Sequence, residues 1–119
     1  MPVHLQRELE RLKKRILGLG AMVEERVGSA TRAFEQRDPE AAERILATDY
    51  EIDEREVEVE EECLKVLALH QSVAVDLRLL TAVIKINNDL ERIGDEAGNI
   101  ARGASIIARK EPLEVPLDV

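Results

Sequence analysis

The amino-acid sequence predicts an all-α chain folded as an elongated antiparallel three-helix bundle, and three observations lead there. Apolar residues recur in steps of three and four, six Gly and four Pro leave long stretches free of helix breakers, and Phe34 and Tyr50 are the only aromatics. A sandwich or barrel would need many strands and turns, which this composition does not supply. With 119 residues, 45% of them apolar and 35% charged, the chain supports one modest core.

The first helix is expected from about Val3 to Gln36, on the stripe Leu5, Leu9, Leu12, Ile16, Leu19, Val23, Val27, Ala30 and Phe34. At ~1.5 Å rise per residue it is roughly 50 Å long, which suits an elongated bundle. Gly18, Gly20 and Gly28 allow a neighbour to approach closely. Asp38-Pro39-Glu40 then supplies an N-cap, a proline at the first helical position and an acid near the positive end of the dipole, so the second helix begins there. Its stripe reads Ile45, Asp49, Ile52, Glu56, Val59, Cys63, Val66, with carboxylates at core positions. The alternation from Glu56 to Glu60 has strand period, but the helical spacing on both sides overrides it.

His70-Gln71-Ser72 marks the next break, with Ser72 as N-cap of a third helix running to about Lys110. That helix carries Leu79, Val83, Ile86, Leu90, Ile93, Ala97, Ile100, Ala104 and Ile107 on one side, and Leu77, Leu80 and Ile84 on another. It is expected to be the central element, packed on both faces. The domain so defined spans residues 1–110. The tail 111–119, with Pro112 and Pro116 four apart, cannot prolong the helix and reads as an extended segment or linker.

The net charge of −8 is localised. Between Asp49 and Glu62 stand nine acids against one base, Arg55, while acids and bases balance over the rest of the chain. One acidic patch disfavours nucleic acid as a partner and favours cations or a basic protein surface. No apolar run approaches the ~18 residues of a membrane span, and the N-terminus lacks the charged-then-apolar layout of a signal peptide, so a soluble cytoplasmic protein without membrane insertion is expected. A single cysteine, Cys63, excludes an intramolecular disulfide and a CxxC metal site, and its place in the stripe makes it a small core residue.

Two acid-x-x-x-acid pairs stand out, Asp49/Asp53 and Glu91/Asp95. Residues four apart project from one face of a helix, so each pair can present several oxygens to one site. Asp53 lies eighteen residues before Gln71 and Glu91 twenty after it. Across an antiparallel hairpin both pairs sit at similar depth, ~27–30 Å from the turn. Glu56, in the same stripe, is a further candidate ligand. Such an all-oxygen set suits hard ions such as Fe³⁺, Mn²⁺, Mg²⁺ or Ca²⁺, and its surplus of carboxylates suits a multinuclear cluster.

Gly94 and Gly98 remove bulk beside that site, for a ligand or for close helix packing. Glu58, Glu60, Glu61 and Glu62 read as solvated face, His70 as compensating a helix dipole, and Arg78 and Arg92 as partners of acids on adjacent turns. No HExxH, Glu-x-x-His, Gly-rich phosphate loop or Ser/His/Asp set is present, which leaves an enzyme without nucleophile or general base. Three readings stay open from the residues alone: a metal-binding module that acts by binding, a metal-free structural module that mediates oligomerisation with its carboxylates hydrated, and, weakened by the absence of histidine near the acid pairs, a carboxylate-bridged dimetal hydrolase or oxidase.

Gly20-Ala-Met-Val-Glu24, His70-Gln-Ser-Val-Ala-Val-Asp-Leu-Arg78 and, above all, Asp89-Leu-Glu-Arg-Ile-Gly-Asp95 followed by Asn99-Ile100 resemble the PhoU family of bacterial phosphate-uptake regulators. The resemblance spans nearly the whole chain. It implies a three-helix repeat whose paired E(D)xxxD motifs bind a multinuclear iron or zinc cluster, with Asp49, Asp53, Glu91 and Asp95 in the motif positions. It further implies a negative regulator without catalytic activity, linking the ATPase subunit of a phosphate ABC transporter to a phosphate-sensing histidine kinase. Ser72 stands where the family usually has Pro. The family carries two such repeats in tandem, so this chain resembles an N-terminal half, and a homodimer in which two chains replace two repeats is expected.

Overall fold

The computed structural model describes residues 3–70 and 77–110. Its regular elements are α1 (Val3–Gln36), α2 (Pro39–Ala47), α3 (Tyr50–Leu69) and α4 (Leu77–Ala108), and the described residues contain no strand. The expected cap at Ser72 and the tail 111–119 lie outside the described residues. No helix is long and apolar enough to cross a membrane among those described.

Three core clusters follow one another along a molecule 64 × 27 × 15 Å in extent. At one end Leu5, Leu9 and Leu12 of α1 meet Val59, Cys63 and Val66 of α3 and Leu80 and Val83 of α4. Leu19, Val23 and Ile52 form the middle, with Leu90 against them. At the other end Ala30 and Ala33 meet Ala42 and Ile45 of α2 and Ala97, Ala101 and Ala104 of α4. This order makes α1 and α4 parallel to each other and antiparallel to the arm formed by α2 and α3, which is the expected three-helix bundle.

The second arm is broken where a continuous helix was expected. Thr48 leaves helical geometry at φ −107°, ψ 10°. The backbone there tightens to i→i+3 bonds, Glu51 N–H to Thr48 O at 3.1 Å and Ile52 N–H to Asp49 O at 3.3 Å. Asp38 caps α2 as expected, its carboxylate accepting from Ala41 N–H at 3.1 Å. The strand-like stretch Glu56–Glu60 is helical.

The stripe of α1 also needs correcting. The buried row continues the four–three alternation as Leu19, Val23, Arg26, Ala30, Ala33, and not through Val27 and Phe34. Ala33 is 1% exposed and Phe34 44%. A 3.5-residue seam passes through residue 26 whatever stands there, and Arg26 is retained in it because the break in the second arm offers its guanidinium acceptors. On α4 the buried face is Leu80, Val83, Asn87, Gly94, Ala97, Gly98, Ala101 and Ala104, whereas Ile86, Ile93 and Ile100 of the expected stripe stand substantially exposed. Small residues face inward on α4 because the helices approach closely there. Glu62, expected in solvent, is buried, with one carboxylate oxygen that lacks a partner.

The helix ends are held by arginine. Arg37 takes the left-handed conformation at φ 52°, with Asp38 N–H bonding Ala33 O at 3.0 Å and Arg37 N–H bonding Phe34 O at 3.3 Å, the Schellman closure of α1. A glycine is usual there. Arg37 offsets its backbone cost by donating 2.6 Å bonds to the carbonyls of Ile107 and Lys110 at the end of α4. At the opposite end His70, at the end of α3, pairs with Glu8 of α1 at 2.6 Å.

A Cβ on Gly94 would lie 2.9 Å from Ile52 Cδ1 and 3.1 Å from its Cγ2, whereas one on Gly18 would meet nothing within 4 Å. Gly94→Val is therefore expected to cost about 1–3 kcal/mol through overpacking, and Gly18→Ala to add about 0.5–1 kcal/mol through helix propensity. Chemical denaturation of the two variants against the parent chain measures both.

Candidate metal centre

Asp53 stands one turn into α3, and Glu91 and Asp95 stand one turn apart on α4. Two contacts level the helices. Ile52 packs into the space left by Gly94, and the buried Asn87 donates from Nδ2 to the Glu56 carbonyl of α3 at 3.1 Å. Asn87 precedes Glu91 by one turn, so this bond sets the register that brings the acids opposite each other.

The result is a cluster in which carboxylate oxygens of Asp53, Glu91 and Asp95 all lie within 4.8 Å of one another. Among the described residues it is the one group of three or more ligand-type side chains so placed. Oxygens bound to a common cation at ~2.0–2.6 Å are up to ~4–5 Å apart, so the group fits a hard ion or zinc without rearranging the helices. Glu56 lies close enough that the charges of Asp53 and Asp95 disfavour its ionisation; burial, the largest cause, and Glu60 raise its pKa further.

Asp49 does not join this group. Its carboxylate is held by Arg26 at 3.3 Å and lies over Gly98, where a Cβ would sit 3.5 Å from both oxygens. Four of the five expected acids thus share one locale, and Asp49 is committed to a cation of the chain itself. Gly94 and Gly98 both serve close packing, the first of Ile52 and the second of the Asp49 carboxylate.

Arg26, Asn87 and Glu62 are the buried polar residues that sequence reasoning missed. A signal for Arg26 existed: it lies seven residues after Leu19 and seven before Ala33, in the seam of α1. Arg26 Nη1 donates to Thr48 Oγ1 at 2.9 Å, and Nη2 donates to the Ile45 carbonyl as well as to Asp49. It thereby bonds the Ile45 carbonyl in the last turn of α2, together with two side chains beyond it.

Fold and site together define a helical bundle module with a carboxylate cluster between antiparallel helices. Residues 16–104 match the model of the PhoU domain, and the chain belongs to the PhoU family. It is 40% identical over 110 residues to the phosphate-specific transport system accessory protein PhoU homolog of Aquifex aeolicus, covering 92% of this chain and 50% of that one. It is 34% identical over 113 residues to the phosphate-specific transport system accessory protein PhoU of Escherichia coli (strain K12), covering 93% and 47%. The crystal structure of PhoU from Pseudomonas aeruginosa superposes with a TM-score of 0.81 at 38% identity, covering 87% of this chain and 49% of that one. The chain spans about half the length of these relatives.

Proximity has an electrostatic cost that appears in Glu91. Its pKa is pushed up to about 7, first by a hydrogen bond to Asp95, then by burial and by the charges of Asp95, Glu56 and Asp53. The ordinary value is 4.5, so between about pH 4.5 and 7 the folded chain holds a proton that the unfolded chain releases. Stability of the metal-free protein must therefore fall as pH rises through that window. Melting temperatures in chelator from pH 5 to 8 are expected to decline, and Glu91→Gln is expected to remove most of the slope.

Proposed function

We propose that the chain regulates phosphate uptake and phosphate-responsive signalling as a metal-binding adaptor. Its partners are the ATPase subunit of a phosphate ABC transporter and a phosphate-sensing histidine kinase, on the cytoplasmic side of the membrane. The observation that carries this reading is the convergence of Asp53, Glu91 and Asp95 in a PhoU-family chain. The relatives are named as accessory proteins of a phosphate-specific transport system, and an accessory role needs binding, not turnover. A multinuclear iron or zinc cluster would be held by Asp53, Glu91 and Asp95, with Asp49 and Glu56 completing the ligand set. It would supply the positive charge that so many carboxylates require.

A metal-free structural reading draws support from Glu91, whose pKa is pushed up to about 7, first by its hydrogen bond to Asp95, so that its protonation relieves part of the repulsion without an ion. Metal content separates the two. Protein purified without chelator or nickel resin is expected to contain iron or zinc, and Asp53→Asn combined with Asp95→Asn to lose it. A ligand at 100 times its dissociation constant adds about 2.7 kcal/mol to stability, so EDTA is expected to lower the melting temperature of the parent and not of the double variant. Unchanged metal content in that variant removes the site.

The chain is further proposed to act as a homodimer. Ile86, Ile93 and Ile100 recur every seven residues along α4, and Phe34 of α1 lines a groove with Ile100. Such a row suits a helical partner with the same repeat, and a second copy presents it across a two-fold axis. Ile93 is 46% exposed, so Ile93→Asp is expected to leave helicity by circular dichroism intact and to convert a dimer to a monomer in sedimentation velocity at micromolar concentration. A parent chain that sediments as a monomer removes the dimer.

A further inference from the structure

We propose that Arg26 is the internal counter-ion of the carboxylate site and holds Asp49 in reserve. With the guanidinium engaged, Asp53, Glu91 and Asp95 serve the first cation, and Asp49 becomes a ligand only when a further cation displaces it from Arg26. This inference rests on the metal-binding reading above and adds an order of filling to it.

Asp49 is one turn before Asp53 on the same face. Gly98 gives its carboxylate room against α4, where a Cβ would lie 3.5 Å from both oxygens. Arg26 would keep neutral partners but lose its ion pair, so the exchange carries a cost that makes the second cation the weaker-bound one. The guanidinium keeps Thr48 Oγ1 at 2.9 Å and the Ile45 carbonyl if Asp49 leaves, and the Asp49 contact, at 3.3 Å, is longer than that to Thr48.

Two further observations mark this pair as unsettled. Arg26 is 8% exposed, yet its Nε has no acceptor, so the guanidinium is placed by the break between α2 and α3 and not by saturation of its donors. Asp49 occupies the N-cap of α3 without a capping bond from its side chain, so its carboxylate has no local duty that cation binding would disrupt. Releasing Asp49 to a cation would leave the buried guanidinium uncompensated, which disfavours filling by a second cation.

Mn²⁺ titration of the 119-residue chain, stripped with EDTA and dialysed, tests this by calorimetry. The parent is expected to bind in a tighter and a weaker phase. Asp49→Asn should lose the weaker phase and keep the tighter one, whereas Asp53→Asn should lose the tighter. Arg26→Gln should strengthen the weaker phase by about tenfold, and Arg26→Lys, which keeps the charge, should leave it weak. Should Arg26→Gln fail to fold by circular dichroism, Asp49→Asn decides alone. The inference is overturned if Asp49→Asn weakens the tighter phase as much as Asp53→Asn does, or if folded Arg26→Gln binds as the parent does. Absence of any Mn²⁺ binding by the parent would instead count against the metal-binding reading itself.

Discussion

The close approach of α3 to α4 at Ile52 and Gly94 is the constraint on which the site depends. An isoleucine can lie flat on a helix only where that helix offers no Cβ, and Gly94 is the position on α4 that does so at this level. Once Ile52 is seated, Asp53 follows it on α3, and Glu91 and Asp95 flank Gly94 on α4. The amide of Asn87, bonded to the Glu56 carbonyl, excludes a slide of one turn because no other α4 side chain could replace it there. Repulsion among the acids is then carried by apolar packing on either side, the leucine-rich cluster at one end and the alanine-rich cluster at the other.

Arginines handle what regular helices leave unsatisfied. Arg26 reaches from α1 across the break in the second arm, and Arg37 closes α1 while covering carbonyls at the end of α4. Each joins two elements with one side chain, which a glycine cap or a serine cap cannot do. The left-handed backbone at Arg37 costs roughly 1–2 kcal/mol, and the two charge-assisted bonds are of a size to offset it. The alanine-rich half of this thin bundle is therefore tied electrostatically, where small side chains contribute little buried area.

Acidic and apolar character are divided around the circumference of α4. At about 100° per residue, Glu91 and Asp95 lie roughly 160° from Ile93. The acid face and the apolar row thus point in nearly opposite directions, so a ligand on one would not compete for surface with a ligand on the other. The chain belongs to the PhoU family and spans about half the length of the relatives it matches.

Helix periods, the Asp38-Pro39 start and the acid pairs were legible because each is a local pattern whose period or chemistry has one physical reading. The bundle, the helical state of residues 56–60 and the meeting of Asp53, Glu91 and Asp95 followed from them. Arg26 was missed because hydropathy prefers Val27 and Phe34, although the heptad spacing from Leu19 to Ala33 runs through residue 26 regardless of its polarity. The exposure of Ile86, Ile93 and Ile100 was hidden for a related reason. Apolar character says that a residue can be buried, but only the rotation of α4 decides that alanines face α1 and α2, and Gly94 faces α3, in their place. The sequence by itself determined the elements and the supply of carboxylates. Tertiary structure alone decided which acid answers to Arg26 and which to the shared site, because that choice is made by contacts between helices far apart in the chain.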